Sequence, residues 1–483
     1  MKSPAITRSV ATGSLTAIAL ACFSPAFAQA PAQKPNVLFI ISDDLCCQIS
    51  AYGKSQVKTP NLERLAREGV RFDRAYCNYP VCSPSRVSFL SGRYPKNTEV
   101  VGNGHDPRVV LGKDFQFMPE YFRAHGYFTA GLGKVAHTPE HQNSISWDYA
   151  LDAQEYDADG TYKGDAQQMR TWPDERHPDG VSARQCVRLM EENADKPFFI
   201  AAGFHRPHAP RVAPQKYFDM YPIDSLKLAG GVTEADIPKI AYPPSYSADM
   251  SEKKQREYLQ SYYASVTFMD AQVGVLLDAL DRLDLRKNTI IVFIGDNGYN
   301  LGEHGGFWGK HDLMDGSARP PMIISAPGMS RAKLCGRAVE FVDIFPTLAD
   351  FCAIPPQPGL DGTSLVPLLK DPDAPDWKKY ARCVAVRGGR KDNKLQLGCS
   401  VHTDQYSFMK WPDGSLQLYD DKADPGQTKN LALDPKYASV IGELEPLLLP
   451  DSVPFHKSVV VRSKEAKEKN AKKQARIQKR LQE

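Results

Sequence analysis

An α/β fold built on a mostly parallel sheet is what this sequence predicts, and three observations carry that expectation. Short continuous apolar runs recur at 36–42, 127–132, 197–202 and 289–294, the pattern of strands buried on both faces. Segments with helical start and stop signals lie between them, as expected of a sheet covered on both sides. Each run ends in a polar cluster, and ligands of such sheets bind outside the carboxyl ends of the strands.

The elements follow in order. The first strand stops at Asp43-Asp44. Thr59 and Pro60 then open a helix to about residue 68: threonine can cap it, proline suits its first turn, and Gly69 ends it. A helix over 118–124 ends by Gly126, and the next strand delivers Gly133-Lys134. The strand at 197–202 delivers His205. A long amphipathic helix fills 253–283, and the last apolar run delivers Asp296-Asn297. One site assembled from distant strand ends is therefore expected.

The chain divides into a secretory signal over 1–28, a main domain over 34–355, a smaller C-terminal subdomain over 356–461 and a basic tail over 462–483. Lys2 and Arg8 precede an apolar stretch, and Ala26-Phe27-Ala28 fits a small-x-small cleavage site. That stretch is too short to span a bilayer comfortably; Leu20-Ala21-Cys22 offers a lipoprotein-like alternative. Export to a periplasm or beyond is expected, with no membrane span elsewhere. The Pro- and Gly-rich stretch 355–359 marks the domain boundary. Strand-like runs follow at 380–387, 406–411 and 416–419, with Asp413-Gly414 as a hairpin turn. Residues 148–180 read as an irregular insertion that could rim a pocket. The tail is a solvated charged segment or a tether for sulfated polymers.

The 483 residues carry a net charge of only +3, and nothing points to a nucleic-acid partner. Of the ten cysteines, Cys22 leaves with the signal. An oxidising compartment permits disulfides among the others, Cys383 with Cys399 for example. No spacing suggests structural zinc.

Asp43 and Asp44 are adjacent like charges, which repel unless a cation or a proton intervenes. Asp296 and Asn297 add a carboxylate and an amide oxygen, an oxygen set suited to Ca²⁺ or Mg²⁺. Taken singly, such pairs more often cap helices or tie loops. Cys82-Ser83-Pro84-Ser85-Arg86, followed by Leu90-Ser91-Gly92, is an unusual setting for a structural thiol. Pro84 fits an early helical position, which would put Cys82 at a helix N-terminus that favours anions.

Asp43-Asp44, the Cys82–Arg86 string, Gly133-Lys134, His205 and Asp296-Asn297 occur in the order and rough spacing of type I sulfatases. The resemblance covers nearly the whole mature chain. Gly133-Lys134-Val135-Ala136-His137, Phe204-His205-Arg206-Pro207-His208 and Leu301-Gly302-Glu303-His304-Gly305 with Lys310-His311 look most like the iduronate-2-sulfatase branch. Ser91 stands where the family often has threonine, and Asn297 where that branch has histidine.

The resemblance implies an alkaline-phosphatase-like architecture: a large mixed, mostly parallel sheet sandwiched by helices, with a smaller C-terminal α+β subdomain. It implies that a maturation enzyme converts Cys82 to formylglycine. It also implies one Ca²⁺ per chain on Asp43, Asp44, residue 82, Asp296 and Asn297. The hydrated aldehyde would attack sulfur, pass through a covalent sulfate ester and expel sulfate as the carbonyl re-forms. Splitting one hard step into two easier ones is the general use of a covalent intermediate. Arg86 would hold the diol oxygens and balance the carboxylates. Lys134 and Lys310 would contact the sulfate, His137 would act as base and His205 as acid toward the departing sugar oxygen. His208, His304 and His311 would shape the pocket or hold groups behind it; from composition alone, and not from the resemblance, Arg206 suits a substrate carboxylate.

The expected activity is hydrolysis of sulfate esters on a sulfated sugar or polysaccharide. The competing readings are a phosphate or phosphonate ester hydrolase of the same superfamily, and a sulfated-glycan binding protein whose site is never matured. A disulfide between Cys77 and Cys82 would consume the nucleophile. Oligomeric state stays open.

Overall fold

In the computed structural model, apart from Met1 and Ala5, residues 34–151, 170–230 and 236–454 are described. The signal, the basic tail and part of the 148–180 insertion lie outside them. The described residues from 34 to 454 belong to one compact unit. None of the described helices is long and apolar enough to cross a membrane.

The main sheet has eight strands: β1 (Asn36–Asp43), β2 (Val70–Phe72), β3 (Phe128–Gly133), β4 (Tyr149–Leu151), β5 (Phe198–Pro207), β6 (Thr289–Gly295), β7 (Met322–Ser325) and β8 (Lys333–Cys335). Their order is β8-β2-β7-β6-β1-β5-β3-β4. Only β7 runs against the others, pairing antiparallel with β2 and β6. Along β1, Val37, Phe39 and Ile41 enter one core cluster and Leu38 and Ile40 the other. This two-sided burial is why the strand is apolar throughout.

Helices cover both faces: α1 (Pro60–Glu68), α2 (Cys82–Ser91), α3 (Met118–Ala124), α4 (Pro178–Glu192), α5 (Glu252–Arg282) and α6 (Ile344–Phe351). Thr59 does not cap α1 through its side chain, because its hydroxyl is engaged with Ser50 and the Ala51 amide. The first amides of α1 are met instead by Asp270 of α5, which accepts from Asn61 at 3.0 Å and Leu62 at 2.8 Å.

Two features depart from expectation. The segment 148–180 is not wholly irregular, since β4 is an edge strand of the main sheet and α4 begins at Pro178. The strand expected at 197–202 runs on to Pro207. Its pairing with β1 is regular to Ser42↔Phe204 and then shifts to Asp43↔Pro207.

A second, antiparallel sheet contains β9 (Tyr380–Lys391), β10 (Lys394–Thr403), β11 (Tyr406–Lys410) and β12 (Leu416–Asp420), with β13 (Ser452–Pro454) on β10. Cys383 lies opposite Ser400 and Val384 opposite Cys399. The two cysteines are thus one register step apart, with side chains on opposite faces, and cannot bridge. No described cysteine is in a disulfide, Cys77 and Cys82 included. Lys378, pairing at 2.7 Å with both Glu340 and Asp343, ties the segment entering this sheet to the main body.

Candidate active site

The carboxyl ends of β1, β3, β5 and β6 converge with the N-terminus of α2. Asp43 and Asp44 are both buried, and Asp44 adopts left-handed backbone (φ 63), a region aspartate tolerates better than most residues. Its amide donates to Asp296 Oδ1 at 3.0 Å and its carbonyl accepts from the Tyr262 hydroxyl at 2.7 Å. Asp296 Oδ1 also accepts the Asn297 amide at 2.8 Å. Asn297 Nδ2 donates at 2.9 Å to Asp44 Oδ1.

Cys82 is the first residue of α2, every residue of which is buried. Its Sγ lies 3.3 Å from Asp43 Oδ1 and 4.0 Å from Asp44 Oδ1. One turn on, Arg86 donates through Nε to Asp296 Oδ2 at 2.8 Å, and its Nη2 lies 3.7 Å from Asp43 Oδ1. Its Nη1 is taken by the Lys134 and Val135 carbonyls. The guanidinium therefore balances two carboxylates.

Lys134, delivered by β3, pairs with Asp43 Oδ2. Gly203 faces that turn, and any side chain there would collide with the Lys134 backbone. Lys310 follows a short hairpin, Asn300–Gly302 with Phe307–Gly309. Its Nζ pairs with Asp44 Oδ1 and lies 2.8 Å from Cys82 Sγ. Burial and Asp43 raise the Cys82 thiol pKa, but Lys134 and Lys310 outweigh them and leave it below the ordinary value. Such an electropositive setting marks a reactive rather than an inert cysteine.

The histidines separate. His137 lines a small cavity with Arg86, Phe117 and His141, and its buried Nδ1 has no partner. Burial, then Lys134, lowers its pKa to about 2, so it is neutral. His205, the expected acid, is anchored by its amide on Asp179 Oδ1 at 2.8 Å. His208, expected only to shape the pocket, has Nε2 3.8 Å from Asp44 Oδ2. Its ligand atom and those of Asp43, Asp44 and Cys82 all lie within 4.8 Å of one another. The shift of register after Ser42 explains this: residues 205–206 are absorbed opposite the end of β1, and His208 is the histidine that emerges at the site. Burial opposes charge on His208, but Asp43 and Asp44 prevail and raise its pKa to about 9.

His304 and His311 are both lowered to about 4, chiefly by burial. Arg206 is only 1% exposed, and its Nε donates to the Val212 carbonyl at 2.6 Å. It is part of the scaffold and not free to read a substrate carboxylate. Tyr262, which pins Asp44, had no signal in the sequence beyond its place on an amphipathic helix.

The donor set fits a hard divalent cation. Asp43, Asp44, Asp296 and Asn297 supply oxygens, and Asn297 Oδ1 is buried with no hydrogen-bond donor. A sealed amide oxygen is costly unless something meets it, and oxygen donors select Ca²⁺ or Mg²⁺ over softer metals. Arg86, Lys134 and Lys310 offset the three carboxylates, and a protonated His208 adds one more positive charge. A dication would leave an excess that an anionic substrate group satisfies.

Comparison with known proteins agrees with this geometry. A family model described as Sulfatase matches residues 35–353. A second, described as N-sulphoglucosamine sulphohydrolase, C-terminal, matches residues 302–451. The chain is 32% identical to mouse iduronate 2-sulfatase, over 85% of this chain and 93% of that one. Among solved structures, a protein in complex with its substrate D-glucosamine-2-N,6-O-disulfate superposes with a TM-score of 0.73 at 22% identity, covering 86% of this chain and 97% of the other. A phosphonate monoester hydrolase from Silicibacter pomeroyi superposes with a TM-score of 0.71 at 23% identity, covering 86% and 94%.

Proposed function

Because the chain belongs to the sulfatase family and is a sulfuric ester hydrolase, we propose that it removes sulfate from a sulfated sugar, with residue 82 acting as a formylglycine hydrate. The placement of Cys82 carries this reading: a buried residue at a helix N-terminus, 3.3 Å from Asp43 and 2.8 Å from Lys310. A structural thiol needs neither neighbour.

A divalent cation, taken here to be Ca²⁺, would be held by Asp43, Asp44, Asp296 and Asn297 and would act as a Lewis acid on sulfate and nucleophile oxygens. The remaining work falls to side chains. Lys134 and Lys310 face the peripheral oxygens on which a transferring SO₃ group carries its charge. His208, whose Nε2 lies 3.8 Å from Asp44 Oδ2, gives a proton to the departing sugar oxygen. His137, which shares its cavity with Arg86 and has a buried Nδ1 without a partner, takes a proton from the hydrate. Arg86 fixes Asp43 and Asp296 and prevents them from repelling each other.

The likeness to an iduronate sulfatase favours a uronate-containing polysaccharide as substrate, although Asn297 departs from that branch. The signal-like N-terminus supports export from the cytoplasm, with a maturation enzyme acting on Cys82 beforehand. Parallel assays with an aryl sulfate, an aryl phosphate, an aryl phosphonate and a panel of sulfated oligosaccharides test the reading. Sulfate esters are expected to turn over fastest, with at least one oligosaccharide among the substrates. Preferential hydrolysis of the phosphonate or phosphate would overturn it.

A further inference from the structure

We propose that Arg211 forms a second anion subsite beside the reaction centre, where it recognises a carboxylate or a second sulfate on the same substrate. This rests on the sulfated-sugar reading above and narrows it to substrates with two anionic groups.

Arg211 lies three residues beyond His208, on the segment leaving β5. Its Nη2 donates to the Tyr258 hydroxyl at 2.7 Å and the Tyr299 hydroxyl at 2.8 Å. Its guanidinium carbon lies 4.0 Å from the Tyr258 ring centre, 5.3 Å from that of Tyr299 and 5.6 Å from that of Tyr262. Tyr299 stands two residues beyond Asn297, and Tyr262 is the residue bonded to the Asp44 carbonyl. The tyrosine box is therefore continuous with the reaction centre.

The charge of Arg211 is uncompensated. Several other interior arginines meet a carboxylate: Arg74 with Asp421, Arg86 with Asp296, Arg108 with Glu120, Arg319 with Asp315. No carboxylate among the described residues pairs with Arg211; its polar partners are neutral phenols. Its Nε is buried without an acceptor. The residue is not sealed, however, and remains partly exposed. A guanidinium with no carboxylate partner, on a residue partly open to solvent and next to a sulfate-ester site, suits a planar carboxylate or a sulfate. The partly exposed rings of Tyr258 and Tyr299 give the box an apolar edge against which a sugar ring could rest.

The test compares Cys82→Ala protein, loaded with Ca²⁺, with and without Arg211→Gln or Arg211→Lys. The probes are a neutral hexose monosulfate, a uronate O-sulfate and a hexose disulfate, with binding measured by calorimetry and folding by thermal melts. Arg211→Gln is expected to weaken at least one doubly anionic probe by about tenfold or more and the monosulfate by no more than about twofold, the scale of a lost charged hydrogen bond. Arg211→Lys should fall between, keeping charge without the fork. Loss confined to the uronate identifies a carboxylate, and loss confined to the disulfate a second sulfate. Equal weakening of all three probes, unchanged binding of both doubly anionic ones, or no binding of either to the parent protein would overturn the proposal. Selective binding by the parent with no sulfate release by the matured enzyme would instead defeat the sulfatase reading alone.

Discussion

The Tyr262 hydroxyl donates to the Asp44 carbonyl at 2.7 Å and accepts the Cys46 amide at 3.0 Å. A residue of the long helix α5 thereby holds a carboxylate that leaves β1 in left-handed backbone. Tyr262→Phe orphans two buried backbone groups and is expected to cost about 1–3 kcal/mol. It should also loosen the cation site, because Asp44 loses its support. Thermal melts across a Ca²⁺ titration check this, since ligand binding raises stability by an amount set by affinity. A stabilisation curve unchanged from the wild type would mean that Asp44 is held by other contacts.

His208 rather than His205 should protonate the leaving oxygen. His208→Gln is expected to lower kcat on a sugar sulfate by about 10²-fold or more, the range of general acid–base contributions. The loss should be much smaller on an aryl sulfate, whose phenolate leaves without help. His205→Gln should lack that contrast. The reverse pattern would restore the acid role to His205.

Asn297 Oδ1 and the three carboxylates predict dependence on a divalent cation. Chelation should abolish turnover and lower the melting temperature, and Ca²⁺ should restore both. Asn297→Leu should weaken the melting response to Ca²⁺. Full activity after exhaustive chelation would contradict the assignment.

Asp270, which caps α1, has its carboxyl raised to about 6 by burial, against which the Asn61 and Leu62 amides work. A carboxyl raised in the folded state contributes stability below its unfolded pKa and loses it as pH rises through the folded one. Between about pH 4 and pH 6 this group should remove roughly 3 kcal/mol. Asp270→Asn should flatten that part of the stability curve while losing one capping acceptor. Denaturant unfolding of both proteins across pH 4–7 checks it, and parallel curves would show that Asp270 does not titrate there.

The strands that carry the site were legible because burial on both faces makes them continuously apolar, and their polar ends announced Asp43, Asp44, Lys134, Asp296 and Asn297. The Cys82 string was legible from its unusual company. Three things were not. The short strands β2, β7 and β8 carry too few residues to show a period. His208 depends on a register shift between β1 and β5, which no local pattern encodes, so His205 stood at the apparent strand end. Tyr262 and Arg211 act through neighbours distant in sequence, and an aromatic residue on a helix face looks like core.

The central claim concerns the chemical state of residue 82, and mass spectrometry of the tryptic peptide covering 75–86 from natively produced, active enzyme tests it most directly. The account predicts an aldehyde in place of the Cys82 thiol, with Cys77 retaining its sulfur. Sulfate release by material in which residue 82 is still a cysteine thiol would contradict it.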